Sequence, residues 1–237
     1  VLDQFGQPLS DQWINFVASL GSVNPTSGSS DADGYVLTTF TAGNLAGEAG
    51  VQATTNSVFG ETVLSVENDP PTAMASVSSA SVYSDTVVTL NGDASRDPDG
   101  HLLSYLWAQA GGPAIPKLEA AESAQATFTA PRIPGVYTFT LTVQDSYGLH
   151  DSDFVTVTVD NRPPVAVVAA PNSVMTGTVT LSGEGSFDPD RHDLSYLWEQ
   201  TGGISVPLDR ETHITATLTA PVTPTLLSFT LTVTDEF

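Results

Sequence analysis

Phe139-Thr140-Leu141-Thr142-Val143, followed by Asp145, is repeated as Phe229-Thr230-Leu231-Thr232-Val233, followed by Asp235. Large apolar side chains alternate with threonine, the pattern of a strand with one face on a core and the other in water. Tyr137 extends the apolar set in the first copy and Leu227 in the second. Further towards the N-terminus, Ser104-Tyr105-Leu106-Trp107 answers to Ser195-Tyr196-Leu197-Trp198, Asp97-Pro98-Asp99 to Asp188-Pro189-Asp190, and Pro70-Pro71 to Pro163-Pro164. The offset is about 90 residues, the length of one β-sandwich, so the chain holds a tandem repeat.

The rest of each copy reads the same way. Tyr105 and Trp107 sit two apart on one face, as do Tyr196 and Trp198, and each of these tryptophans is expected to anchor a core. Further strands are expected at Val87–Leu90, Ala126–Ala130 and Val155–Val159, separated by Gly, Pro and Asp clusters. No helical stripe of useful length is present. Residues 1–67 differ from the copies but alternate too, with one run at Trp13, Ile14, Phe16 and Val17 and another at Tyr35-Val36-Leu37. Asp31-Ala32-Asp33-Gly34 reads as a turn between them. Asn68-Asp69-Pro70-Pro71 and Asn161-Arg162-Pro163-Pro164 mark sharp boundaries, because paired prolines fix φ and stiffen a linker. The expected units are 1–68, 69–160 and 161–237. The first is expected to lack its opening strand and the last its closing strand, as in a segment of a longer chain or one completed by a neighbour's strand.

Composition excludes several function classes. With 27 acidic against 6 basic residues and a net charge of −21, the chain has little with which to neutralise phosphates, which argues against nucleic acid and anionic membranes. No run of about 18 apolar residues suggests insertion into a bilayer. Lys117 is the only lysine and there is no cysteine, so Schiff-base chemistry, disulfides and thiolate metal sites lack material. Ser and Thr are plentiful without a histidine base beside them. Ala110-Gly111-Gly112-Pro113 and Thr201-Gly202-Gly203-Ile204 lack the following helix of a phosphate loop and read as connectors. Small sandwiches in series rarely build a catalytic cleft, so no enzyme is expected.

The Pro-Pro pair, the Asp-Pro-Asp turn, the Tyr-x-Trp strand and the Phe-Thr-Leu-Thr-Val-x-Asp strand resemble those of polycystic-kidney-disease-type (PKD-type) Ig-like domains. The first segment resembles a bacterial Ig-like group 1 module of the invasin and intimin type. Its resemblance rests on Asp3-Gln4-Phe5-Gly6-Gln7-Pro8-Leu9, Trp13 to Val17, Asp33-Gly34-Tyr35-Val36 and Gly50-Val51-Gln52-Ala53. The fold expected is therefore all-β, with tandem Ig-like sandwiches in an elongated array. The resemblance implies a non-catalytic structural or adhesive segment of a secreted or cell-surface microbial protein. Such a segment would act as a calcium-stiffened spacer or assembly module in a surface layer, stalk or filament. Its partners would be other copies of itself, neighbouring surface proteins or surface glycans. The alternative is a substrate- or carbohydrate-binding accessory region of a larger secreted hydrolase, for which Phe5, Tyr83 and Tyr147 are the candidate exposed rings.

In an Ig-like sandwich the leading linker, the B–C loop and the end of strand F lie at one pole. Asn68, Asp97, Asp99 and Asp145 are expected to converge there in the first copy, and Asn161, Asp188, Asp190 and Asp235 in the second. Carboxylates this close repel unless a cation relieves them, and Ca²⁺ accepts carboxylate, amide and carbonyl oxygens. Some PKD-type domains bind calcium in this region, which the resemblance adds. Against this, Asp-Pro-Asp-Gly is also an ordinary type I turn, and Arg162 and Arg191 offer ion pairs in the second copy. Asp31 and Asp33 read as turn residues, and His101 and His192 as exposed loop histidines.

Overall fold

The computed structural model describes residues 1–56 and 58–237, and within them every regular element is a strand. The alternation seen in the sequence becomes the inside and outside of β-sandwiches in tandem. In the middle unit, Ser104–Gly111, Gly135–Gln144, His150–Asp160 and Ser81–Tyr83 form one sheet, with the last strand parallel to its neighbour. Gln125–Thr129, Val87–Asn91 and Ser76–Val77 form the facing sheet. Register places Tyr105 opposite Val143, Trp107 opposite Leu141 and Gln109 opposite Phe139. Trp107, Tyr137, Phe139, Leu141 and Val143 are buried with Val88, Leu90 and Phe128 from the other sheet, while the interleaved threonines stay wetter.

The last unit repeats this frame. Ser195–Gly202 pairs with Ser228–Thr234, with Tyr196 opposite Val233 and Trp198 opposite Leu231, and Gly177–Ser182 pairs with Thr215–Ala220. Both tryptophan strands bulge after the same glutamine, between Gln109 and Gly111 and between Gln200 and Gly202. Each glutamine side chain then donates to two carbonyls of the bulge, Gly111 and Ala114 or Gly202 and Ile204. Gly92 and Gly183 lie under Leu141 and Leu231; a Cβ there would sit 2.7 and 2.9 Å from a leucine methyl, so each glycine permits a close sheet-to-sheet approach.

The first unit has one sheet ordered Ser27–Ser29, Trp13–Ala18, Gly47–Thr55, Val58–Val66, and a short pair, Ser22–Asn24 with Thr39–Thr41. The strand expected at Tyr35–Leu37 does not form. Asp31 binds that segment locally: its Oδ1 accepts the Tyr35 amide and its backbone amide donates to the Tyr35 carbonyl, which closes a loop and moves the strand on to Thr39. Tyr35 and Leu37 are accordingly exposed.

Trp107 is 2% exposed and Leu102 90%. Trp107→Ala is expected to destabilise the middle unit by about 3–5 kcal/mol, whereas Leu102→Ser stays within about 0.5 kcal/mol. In scanning calorimetry the first change should lower one unfolding transition by more than about 10 °C, and the second should move none.

Candidate functional site

The head of each repeated unit is built by its Asp-Pro-Asp turn. Asp97 Oδ1 accepts the backbone amides of Asp99 and His101 at 2.9 and 3.1 Å, and Gly100 closes the turn by donating to the Asp97 carbonyl. Asp188 does the same for Asp190 and His192 at 2.7 and 3.1 Å. Arg191, standing where the first copy has Gly100, keeps the glycine's left-handed backbone, with φ 65° against 78°. The turn therefore persists without its glycine, at some backbone strain.

That turn sends its two aspartates in different directions. Asp97 faces inward beside Asp145 and His101, with one ligand atom of each within 4.8 Å of the others; Asp188, Asp235 and His192 repeat the group. Asn68 joins the first by donating from Nδ2 to Asp145 Oδ2 at 2.7 Å, and Asn161 joins the second through Asp235 Oδ2 at 2.8 Å. Asp99 and Asp190 instead hold the linker. Asp99 Oδ2 accepts the Asp69 amide and Asp190 Oδ2 the Arg162 amide, both at 2.7 Å. Of the eight residues expected to converge, six form the two inner groups and two clamp the chain that enters them.

His101 and His192 are not exposed loop residues. Their side chains are 6% and 5% exposed, because each ring lies against the aromatic two residues after the strand-end aspartate: Tyr147 at 4.9 Å and Phe237 at 4.7 Å between ring centres. The other cover comes from the preceding unit. His101 Nε2 is hydrogen-bonded to the Asn44 carbonyl and His192 Nε2 to the Arg132 carbonyl. The shared Asp-x-aromatic spacing, Asp145-Ser146-Tyr147 and Asp235-Glu236-Phe237, was the sequence signal that could have revealed this packing.

Both poles are joints between units. At the first, the Tyr147 hydroxyl accepts the Ala46 amide at 3.1 Å. At the second, Arg162 lies over the Tyr83 ring at 5.0 Å and donates from Nη2 to Asp190 Oδ1 at 2.6 Å, an oxygen that also accepts the Ser84 hydroxyl at 2.6 Å. Burial pushes the Asp190 carboxyl up, but the Arg162 and Ser84 bonds outweigh it and hold it down at about 2. Asp145 is likewise raised by burial, then lowered further by Asn68 and by the amides of Tyr147, Leu149 and Gly148. Asn161 lowers Asp235. These carboxylates are charged at neutral pH.

Asp190 is 1% exposed in its side chain, whereas Arg132 and Asp85 form a pair with half-open side chains. Arg162→Ala strands a buried charge and is expected to cost about 2–4 kcal/mol; Arg132→Ala should cost below about 1 kcal/mol. Because the Asp190 pKa falls from 3.8 to about 2 on folding, its contribution is full above pH 4 and is lost as the pH drops towards 2. Acid titration followed by circular dichroism should show that loss, and Asp190→Asn should remove it.

A family model described as "K319L-like, PKD domain" matches residues 76–159 and 169–237 and leaves the first unit outside. The mouse dyslexia-associated protein KIAA0319-like protein is 41% identical over 137 residues, 55% of this chain and 13% of its own length. The chain thus spans about an eighth of that relative. Among solved structures, the PKD domain from the KIAA 1837 protein is 35% identical over 40% of this chain and 83% of its own, with a TM-score of 0.30. Invasin, a bacterial integrin-binding protein, covers 100% of this chain and 55% of its own at 17% identity and a TM-score of 0.46. With two matched stretches over the repeated strands and turns, the chain belongs to the K319L-like PKD-domain family.

Proposed function

We propose that this chain is a non-catalytic spacer within an adhesive surface protein, its three sandwiches held in fixed relation by polar joints. The observation that carries the proposal is the repetition of one joint at both junctions. In each, an asparagine is bonded to the strand-end aspartate, an aspartate holds the linker amide, and a histidine is bonded to a carbonyl of the unit before. Added to paired prolines, such contacts resist bending, which is what a spacer requires and a tethered catalytic domain does not.

Other observations weigh the same way. The cavity of about 520 Å³ in the last unit is lined by groups such as Val174, Met175, Leu218, Val222 and Leu226, with no titratable side chain among its walls. The rings proposed for sugar stacking do not form a row: Tyr83 lies under Arg162 and Tyr147 covers His101, each occupied at a joint. That favours the spacer over a carbohydrate-binding accessory region. Ser/Thr-rich strands, a single lysine and the repeated modules support a secreted or cell-surface setting, of microbial origin, with further copies or neighbouring surface proteins and glycans as partners. The first unit is read within this proposal as the bacterial Ig-like group 1 module.

Small-angle scattering tests the proposal. A compact globule of this length has a radius of gyration of about 18 Å. The spacer should give a clearly larger value with little flexibility, and four Gly-Ser residues inserted between Asp160 and Asn161 should broaden the distribution. A compact particle, or one equally flexible with and without the insertion, overturns the reading.

A further inference from the structure

Three atoms at each joint are buried without a hydrogen-bond partner among the described residues, and they are the same three: Asn68 Oδ1, Asp97 Oδ2 and His101 Nδ1 at the first, Asn161 Oδ1, Asp188 Oδ2 and His192 Nδ1 at the second. Their chemistry is fixed by what their other ends do. Asn68 must turn Nδ2 to the acceptor-only Asp145 carboxylate, which leaves Oδ1 as an acceptor. Asp97 uses Oδ1 for two backbone amides, which leaves Oδ2 with its charge.

The histidine is the deciding member. A carbonyl only accepts, so His101 Nε2 must carry the proton it shares with the Asn44 carbonyl; His192 is bound in the same way by the Arg132 carbonyl. In the neutral ring Nδ1 is then a lone pair, 3.4 Å from Asp97 Oδ1 in the first copy and 3.6 Å from Asp188 Oδ1 in the second, the oxygens that already accept the turn amides. The unpartnered atoms of each group are therefore all acceptors, a carboxylate oxygen, an amide oxygen and an imidazole nitrogen, beside a second carboxylate. The side chains of Asp97 and Asp188 are 0% exposed, so water screens this arrangement poorly.

We infer that each joint is a mixed nitrogen–oxygen site for a divalent transition cation of the zinc class, formed by His101, Asp97, Asp145 and Asn68 and again by His192, Asp188, Asp235 and Asn161. Calcium, expected from the converging carboxylates, fits these donors less well, since it is a hard cation that takes oxygen ligands, whereas imidazole suits zinc and its neighbours. The outer bond is also the one ligating histidines make, with the second ring nitrogen donating to a backbone carbonyl that fixes tautomer and orientation. Here that carbonyl belongs to the preceding unit, so docking of one sandwich on the next prepares the nitrogen ligand, and metal binding in turn favours the closed joint. The inference rests on the closed joints of the proposed function.

Calorimetric titration of the full 237-residue chain with zinc chloride and calcium chloride, with cobalt chloride as an optical probe, tests it. Two zinc equivalents are expected, with calcium binding at least tenfold weaker and the cobalt complex showing bands that zinc displaces. His101→Gln and His192→Gln should each remove one equivalent while leaving unfolding transitions of the metal-free chain in place. Because a variant could disturb packing, nitrogen-15 spectra of the unaltered protein supply a second reading: zinc should shift Nδ1 of both histidines and leave Nε2 protonated. Calcium bound as tightly as zinc and indifferent to both substitutions would make the sites oxygen-only and overturn the inference. So would a chain that takes no zinc and carries the proton on Nδ1, where an imidazolium–carboxylate pair fills the pocket. Scattering separates the two readings: a stiff, extended chain that binds no zinc overturns this inference alone, and a flexible chain that binds two overturns the joint.

Discussion

The two backbone amides accepted by Asp97 Oδ1 are the constraint from which the head of the middle unit follows. They curl the turn so that Asp99 reaches the linker amide, His101 swings under the preceding unit, and the remaining Asp97 oxygen points inward. Turn and site are then not rival explanations of an Asp-Pro-Asp sequence. The first oxygen makes the turn, and the turn aims the second. Asp188 repeats the arrangement with Arg191 in the left-handed position, so the geometry depends on the aspartate more than on the glycine.

The two joints neutralise the same acidity by different means. In the first, the outer aspartate Asp99 accepts the amide of Asp69 and, among the described residues, its side chain has no other hydrogen-bond partner. In the second, Arg162 occupies the corresponding linker position and brings a guanidinium to Asp190, with Ser84 and the face of Tyr83 closing around it. The inner groups have no such arginine and keep their charge among neutral donors. Arginine thus appears where the acidic group is shared between units: it bonds Asp190 directly, and only its field reaches Asp188 in the inner group.

Strand pairing and core were legible in the chain because both depend on local alternation. Tyr105, Trp107, Tyr137, Phe139, Leu141 and Val143 declare their face by spacing alone, and the repeat supplies the register twice. Tyr35–Leu37 misled because the same alternation was overruled by Asp31, whose carboxylate competes for the Tyr35 amide. The histidines misled for a different reason. A loop residue after a turn is normally wet, and what buries His101 is a carbonyl from a neighbouring sandwich together with a ring 46 positions further along, contacts that no local pattern contains. The separate destinations of Asp97 and Asp99 were hidden likewise, since residues two apart in a tight turn carry no record of which one faces the linker.

Matching the copies through Leu90 with Leu181 and Ala130 with Ala220 shows what the rear of each unit offers. Where the middle unit presents Tyr83, Ser84 and Arg132 to its successor, the last unit carries Val174, Met175 and Val222. Met175 and Val222 are 95% and 90% exposed, so this pole is greasy where the other is polar. A head bearing a guanidinium and a buried carboxylate finds a hydroxyl and an aromatic face on one pole and neither on the other. The sandwiches are keyed couplings rather than interchangeable beads: their order along the chain is written in the side chains of their rear faces, and exchanging the two copies would leave the polar head of one against the oil of the other.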